Sequence, residues 1–272
     1  MRSPVRHGAA AVIALGLVTV LAAGCGKGTS STNPSNPMTQ DAADDIALNT
    51  VVALNTAGGD VEGASSSAGA SVVQAGDAHA RAARMSATQF DTTFVRDSVT
   101  FHVTRTWLGV LGDTLSGPGP SASRLLWTSD ASGHWTGERD TAQVGHHGGL
   151  TVSGTRPLLA LADTVVFNGA AFDTLDNRFR SLDSLRTRHF HWESSLALVQ
   201  VQWPKGSSYP ASGTVTINAS ADRYVTNSNV TKDGHWNATI IITFNGTDTP
   251  DLVVNGTWHY HWNLTTNIIA RA

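Results

Sequence analysis

A mostly β fold, built as an antiparallel sandwich or an open barrel, follows from three features of this chain. From about residue 90 onward the apolar residues recur with a period of two. Charged residues are only 14% while 26 glycines accompany abundant Ser, Thr and Asn, a profile of turn-rich β proteins. The alternation is also clean, apolar on one face and polar on the other, which is the mark of antiparallel rather than parallel sheets. A hydrophobic content of 40% leaves enough apolar surface for a real core.

The chain begins with Arg2 and Arg6, followed by an uncharged apolar run over 9–20 that matches the roughly 7 to 15 residues of a secretory signal core. It falls short of the about 20 residues that a spanning helix needs. Leu21-Ala22-Ala23-Gly24-Cys25 closes the run. This stretch resembles the lipobox of bacterial lipoproteins. The resemblance covers the signal region alone and implies cleavage before Cys25, acylation of Cys25, and a signal peptide over 1–24. Several acyl chains, each buried methylene contributing about 0.8 kcal/mol, would fix the protein to a bilayer. Gly26 stands where an inner-membrane retention aspartate would sit, which favours the outer membrane, facing the periplasm or the surface.

Residues 25–40 are rich in Ser, Thr, Gly, Asn and Pro and read as a flexible tether. Acidic residues at the start of 41–55, with Ile46, Leu48, Val51, Val52 and Leu54 behind them, predict one short amphipathic helix that Gly58-Gly59 ends. Residues 63–87 read as a loose helix or a loop, so that 41–89 forms a helical or loop N-terminal segment before a β domain over 90–272. Within that domain Val99, Phe101, Val103 and Trp107 oppose Ser98, Thr100, His102, Thr104 and Thr106. Trp236, Ala238, Ile240, Ile242 and Phe244 oppose Asn237, Thr239, Thr243 and Asn245, and Leu252, Val254, Trp258, Tyr260 and Trp262 repeat the pattern. Roughly ten strands are expected. Leu175, Phe179, Leu182 and Arg186 fall at helical spacing behind Asp173, which suggests one crossover helix over 173–186. Gly133-His134-Trp135 and Gly234-His235-Trp236, each followed by an apolar Leu-led strand, suggest two weak repeats. Reuse of the same hairpin chemistry explains them equally well.

Composition excludes several function classes. The net charge of −3, without blocks of like charge, argues against nucleic acid. Cys25 is the only cysteine, so a lipidated chain has no thiol left for a disulfide, a nucleophile or a thiolate metal site. The G-x-S-x-G, H-E-x-x-H and S-x-x-K signatures are absent. Six Asn-x-Ser/Thr sequons, beginning at Asn218, read as turn and strand-edge polarity behind a bacterial leader.

The sharpest constellation is a pair of tetrapeptides, His189-Phe190-His191-Trp192 and His259-Tyr260-His261-Trp262. On a strand, residues two apart share a face, so each presents two imidazoles on one side and two aromatics on the other. Were the two strands neighbours, His189, His191, His259 and His261 would converge on a zinc or copper ion, with Glu193 as a nearby base for hydrolysis. Otherwise the histidines lie on a wetted face with the Thr and Asn residues. The glycines around His146 and His147 read as a hairpin loop able to approach an anion. Of the eight tryptophans, most lie on apolar faces, and Trp127 and Trp135 are the candidates for exposure. The expected function is therefore that of a membrane-anchored envelope lipoprotein, a non-enzymatic binding or structural module without a cofactor. Its partners would be the bilayer through Cys25 and an envelope protein or an apolar ligand in a barrel mouth. A histidine metal protein is the alternative.

Overall fold

A computed structural model describes residues 36–67, 91–96, 98–117, 119–136, 140–182, 187–226 and 230–272. The leader, Cys25, the tether as far as residue 35 and most of the 63–87 segment lie outside the described residues. The helix α1 (Gln40–Ser67) comes first, followed by β1 (Asp91–Arg96), β2 (Val99–Leu108), β3 (Thr114–Leu115), β4 (Arg124–Thr136) and β5 (Asp140–Gly154). A single 3-10 turn (Leu159–Leu161) leads to β6 (Thr164–Arg180), β7 (Thr187–Pro204), β8 (Ser212–Thr226) and β9 (Val230–Thr243). The chain ends with β10 (Asp251–Val254), β11 (Trp258–Asn263) and β12 (Ile268–Arg271).

The twelve strands among the described residues belong to one antiparallel sheet. Eleven follow each other as β1-β2-β4-β5-β6-β7-β8-β9-β10-β11-β12, and the short β3 pairs with β2. The order is a meander, each strand pairing with its neighbour in sequence, and among the described residues β1 and β12 remain as open edges. Of the two architectures expected, a sandwich or an open barrel, the single unclosed sheet corresponds to the open barrel. It curls about α1, because the helix touches β4, β5 and β6 on one side and β9 to β12 on the other.

The period-two pattern decides which face looks inward. Val99, Phe101, Val103, Arg105 and Trp107 of β2 are all buried, while Thr100, His102 and Thr104 are exposed. Trp127, Phe167, Phe190, Trp192, Ile217, Ile240 and Tyr260 continue the inner face strand by strand. Burial of aromatics of this size removes on the order of 150 to 250 Å² each from water, and a chain without disulfides depends on it. Trp107, Trp236 and Trp262 are core residues as their alternation requires, with Trp203 and Trp258 partly buried.

Three elements differ from the sequence expectation. The helix does not stop at Gly58-Gly59 but continues to Ser67. Two helical glycines cost about 1 kcal/mol each, and the bonds that Asp60 makes beyond them to β4 and β5 offset that cost. The helix is also not amphipathic in the ordinary sense. Ala42, Ala43, Ile46, Ala47, Val51 and Ala53 are buried, and so are Asp44, Asp45, Asn49, Thr50 and Asp60, because sheet surrounds it.

Residues 173–180 form the end of β6 and not a helix. Leu175 and Phe179 are four apart, a spacing that satisfies a period of two as well as one of 3.6. Asn177 between them decides the matter, since it faces inward and donates from Nδ2 to Asn49 Oδ1 of α1 at 2.9 Å. The glycines around His146 and His147 lie in the middle of β5 rather than in a hairpin loop. The two Gly-His-Trp copies occupy opposite ends of their strands, one near the end of β4 and the other near the start of β9.

Candidate functional site

Four polar clusters join α1 to the inner face of the sheet, the first of them the Asn177–Asn49 pair described above. Thr39 caps the helix, its Oγ1 accepting from the Ala42 amide at 3.2 Å. One turn on, Asp41 and Asp45 meet two arginines from adjacent strands. Arg188 of β7 donates from Nη2 to Asp41 Oδ1 at 2.6 Å and from Nη1 to Asp45. Arg223 of β8 reaches Asp41 at 3.3 Å and Asp45 at 3.6 Å, bonds Asp233 at 2.9 Å, and lies 4.9 Å over the Trp236 ring. The Arg188 hydrogen bond holds the Asp41 carboxyl below its ordinary range. Asp45 goes the other way: burial outweighs the Arg188 charge and pushes it up to about 7.

Asp44 faces the far edge of the sheet. It accepts from Tyr260 Oη at 2.8 Å, from Gln40 Nε2 at 2.9 Å and from Arg271 Nε at 3.1 Å, so the helix holds β11 and β12. Burial and the neighbouring Asp44 charge raise the Tyr260 phenol above its usual value.

The fourth cluster has the composition of an active site. His146 of β5, its side chain fully buried, lies with Nδ1 2.6 Å from Asp173 Oδ1 and Nε2 2.8 Å from Asp60 Oδ2. Ser129 Oγ donates to the same Asp60 oxygen at 2.5 Å, and Trp127 Nε1 donates to Asp60 Oδ1 at 3.2 Å. Burial alone would lower the imidazole pKa, but hydrogen bonds and charge from Asp173 and Asp60 hold it up at about 10. Asp173, buried first of all, is raised despite its imidazole partner.

This geometry is not that of a nucleophilic triad. The serine bonds the carboxylate rather than the histidine, and both ring nitrogens are occupied by carboxylates, so the imidazolium has no lone pair with which to take a proton. It can hold charge, and thereby hold the helix. Gly148 makes room for it: a Cβ there would stand 2.7 Å from His146 Nε2 and 2.8 Å from Asp60 Oδ2. Trp127, expected to be exposed, is instead fully buried because Leu125, Trp127 and Ser129 are the inward register of β4. The side chain of Trp135 lies outside the described residues.

The two histidine tetrapeptides do not meet. His189 and His191 are on β7 and His259 and His261 on β11, with β8, β9 and β10 between them, four strand spacings or roughly 19 Å. Phe190, Trp192, Tyr260 and Trp262 are buried, while the imidazoles lie on the outer face. There they pair locally: His189 with Asp176 and the Tyr224 ring, His191 with Glu193 at 3.7 Å. Among the described residues no group of three or more His, Cys, Asp or Glu side chains is placed to hold a metal.

The outer face has its own regularity. Cross-strand partners place Asp176, His191, Asp222 and His235 in one row over β6 to β9. His235 Nδ1 lies 2.6 Å from Asp222 Oδ1, and Lys232 Nζ also reaches that oxygen at 2.6 Å. Burial would raise the Asp222 carboxyl, and these two donors overcome it and lower it. Two further rows run beside this one, Thr174-Glu193-Ser220-Asn237 and Phe172-Ser195-Asn218-Thr239. Between them lies a shallow open trough of about 450 Å³ that extends to Asn255. Nothing in the sequence distinguished it, because its residues come from four strands and a turn and only the register brings them together.

Comparison with protein-family models, with curated proteins and with solved structures finds no match for this chain.

Proposed function

We propose that this chain is a lipid-anchored protein of the bacterial envelope that works as a binding or structural module and not as an enzyme. The observation that carries the module reading is the commitment of the buried polar groups to one another. His146 is spent on Asp60 and Asp173, and Arg188 on Asp41 and Asp45. Groups so engaged hold a helix in place and have nothing to offer a substrate. The helix also occupies the concave face, so a ligand within the sheet is not the favoured reading, and the outer face is where a partner would be met. That face carries Thr100, Thr104, Asp130, His147, Asp176 and Glu193 in exposed positions, residues suited to water and not to lipid tails.

The anchor reading rests on Arg2, Arg6, the apolar 9–20 run and the stretch Leu21 to Cys25. It is tested by expressing the full chain in a bacterium supplied with a labelled fatty acid, beside Cys25→Ser. Label on the wild-type protein and its partition into a detergent phase, both absent from the variant, are the expected result. An unlabelled, water-soluble wild-type protein would overturn the reading.

A further inference from the structure

Resting on the reading of this chain as a binding module, we infer that the outer trough over β6 to β9 is a binding site for a neutral polyhydroxylated ligand, an oligosaccharide. Phe172 supplies the first half of the argument. It is 48% exposed and is the only aromatic among the exposed large hydrophobic side chains described. Its neighbours in the row are His147 on one side and Ser195 on the other, and the apolar side chains beside it on that face are the small Ala170 and Ala197. A phenyl ring so placed, with only small apolar side chains beside it, fits a ligand with one apolar face and a polar edge. The C–H face of a pyranose ring is such a surface, and its hydroxyls form the edge.

The second half is the set of donors and acceptors beside the ring. The Thr239 amide donates to Asn255 Oδ1 at 2.7 Å, which fixes that carboxamide with its nitrogen directed away from the bond. Thr239 Oγ1 donates to Asn218 Oδ1 at 3.0 Å, which fixes the second carboxamide in the same way. The Nδ2 groups of Asn218 and Asn255 have no side-chain or backbone partner among the described residues. They are oriented donors, immobilised before any ligand arrives. Glu193 adds an exposed acceptor in the adjacent row. From Phe172 to Asn255 the trough crosses about four strand spacings, on the order of 19 Å, enough for more than one ring.

Other ligand classes fit less well. A peptide adding to the sheet needs a free edge, whereas β6, β7 and β8 are each paired on both sides beneath the trough. An apolar ligand would gain only Phe172 and the small surfaces of Ala219 and Ala238. Anionic glycans would meet the Glu193 carboxylate.

The test uses the protein as purified from the expressing bacterium, in a detergent without a sugar headgroup, titrated calorimetrically with short neutral oligosaccharides of glucose and of N-acetylglucosamine. Saturable binding to at least one of them is expected, weakened about tenfold or more in Phe172→Ala and retained in Phe172→Tyr, which keeps the ring. Phe172 is exposed, so neither variant disturbs the core, and circular dichroism verifies this. Glu193→Gln should weaken binding while leaving it saturable. Absence of binding to both sugar series, or binding that Phe172→Ala leaves unchanged, overturns the assignment. Either result leaves the anchor reading to stand or fall on the Cys25→Ser labelling alone.

Discussion

His146 Nε2 lies 2.8 Å from Asp60 Oδ2, joining the middle of β5 to α1 across 86 residues of chain. With Asp173 on the other ring nitrogen at 2.6 Å, the imidazolium is shared between the helix and β6. The ring is charged at neutral pH because its folded pKa is about 10, against an unfolded value of about 6.5. A raised histidine pKa contributes stability that is complete below about 6.5 and is lost as pH climbs through the folded value.

Asp45 acts in the same direction at lower pH. Its folded value of about 7 exceeds the unfolded value of about 3.9, so ionising it in place costs stability progressively as pH rises between the two. Asp41 and Asp222, both lowered, contribute stability above the ordinary carboxylate range that disappears on acidification. Stability should therefore be greatest in mildly acidic solution and fall from there toward pH 10. Urea unfolding as a function of pH measures it, and His146→Gln should flatten the alkaline limb. The variant should also lose about 3 to 5 kcal/mol at neutral pH, since it leaves two buried carboxylates without their counter-charge. A wild-type midpoint that rises between pH 7 and 10 would contradict this account.

Two glycines of α1 should respond oppositely to alanine. A Cβ on Gly63 would stand 2.6 Å from Trp127 Cη2, against a fully buried ring held by its bond to Asp60. Gly63→Ala should destabilise by about 1 to 3 kcal/mol, the usual cost of overpacking. Nothing lies within 4 Å of a Cβ built on Gly58, so Gly58→Ala should stabilise by up to about 1 kcal/mol. Chemical denaturation of the two variants side by side decides it, and the reverse order would mean that α1 does not rest on β4.

The contrast between these glycines shows what could be read from the chain and what could not. Alternation along Val99 to Trp107 and Leu252 to Trp262 specified strands and their inward faces, because a period of two is a local property. The length of α1 was hidden, since its polar residues are satisfied by partners far along the chain, as Asn49 is by Asn177 and Asp60 by His146. The 173–180 stretch misled for a related reason: Leu175 and Phe179 suit either period, and only the sheet selects one. His146 looked like a loop residue because glycines surround it, although Gly148 is there to admit Asp60. The outer trough had no local signal at all, being assembled by register.

Asp44 ties the far edge of the sheet to the helix. Asp44 is 1% exposed and receives Tyr260, Gln40 and Arg271 together. Arg271 sits one position from the chain's last residue, on an open edge strand, and is the charged member of that set. Arg271→Ala should cost about 1 to 2 kcal/mol, modest because the guanidinium is partly in water. Its larger effect should be local, with amide hydrogens of β11 and β12 exchanging faster while those of β5 and β6 keep their protection. Uniformly faster exchange across all strands would show instead that this edge unfolds only with the whole sheet.

The separation of the histidine tetrapeptides makes a prediction for metal titration. With β8, β9 and β10 between β7 and β11, no single ion can reach His191 and His261 together, since metal–nitrogen bonds are about 2 Å long. Each pair by itself supplies two imidazoles on a wetted face, and in the β7 pair His189 is already engaged by Asp176. Calorimetric titration of Zn²⁺ or Cu²⁺ into the protein should therefore give heats indistinguishable between the wild type and a His191→Ala, His261→Ala double variant. Weak, non-stoichiometric binding at exposed imidazoles would be common to both. Tight one-to-one binding that the double variant abolishes would require β7 and β11 to come together, which the meander forbids within one chain and only a second copy could provide.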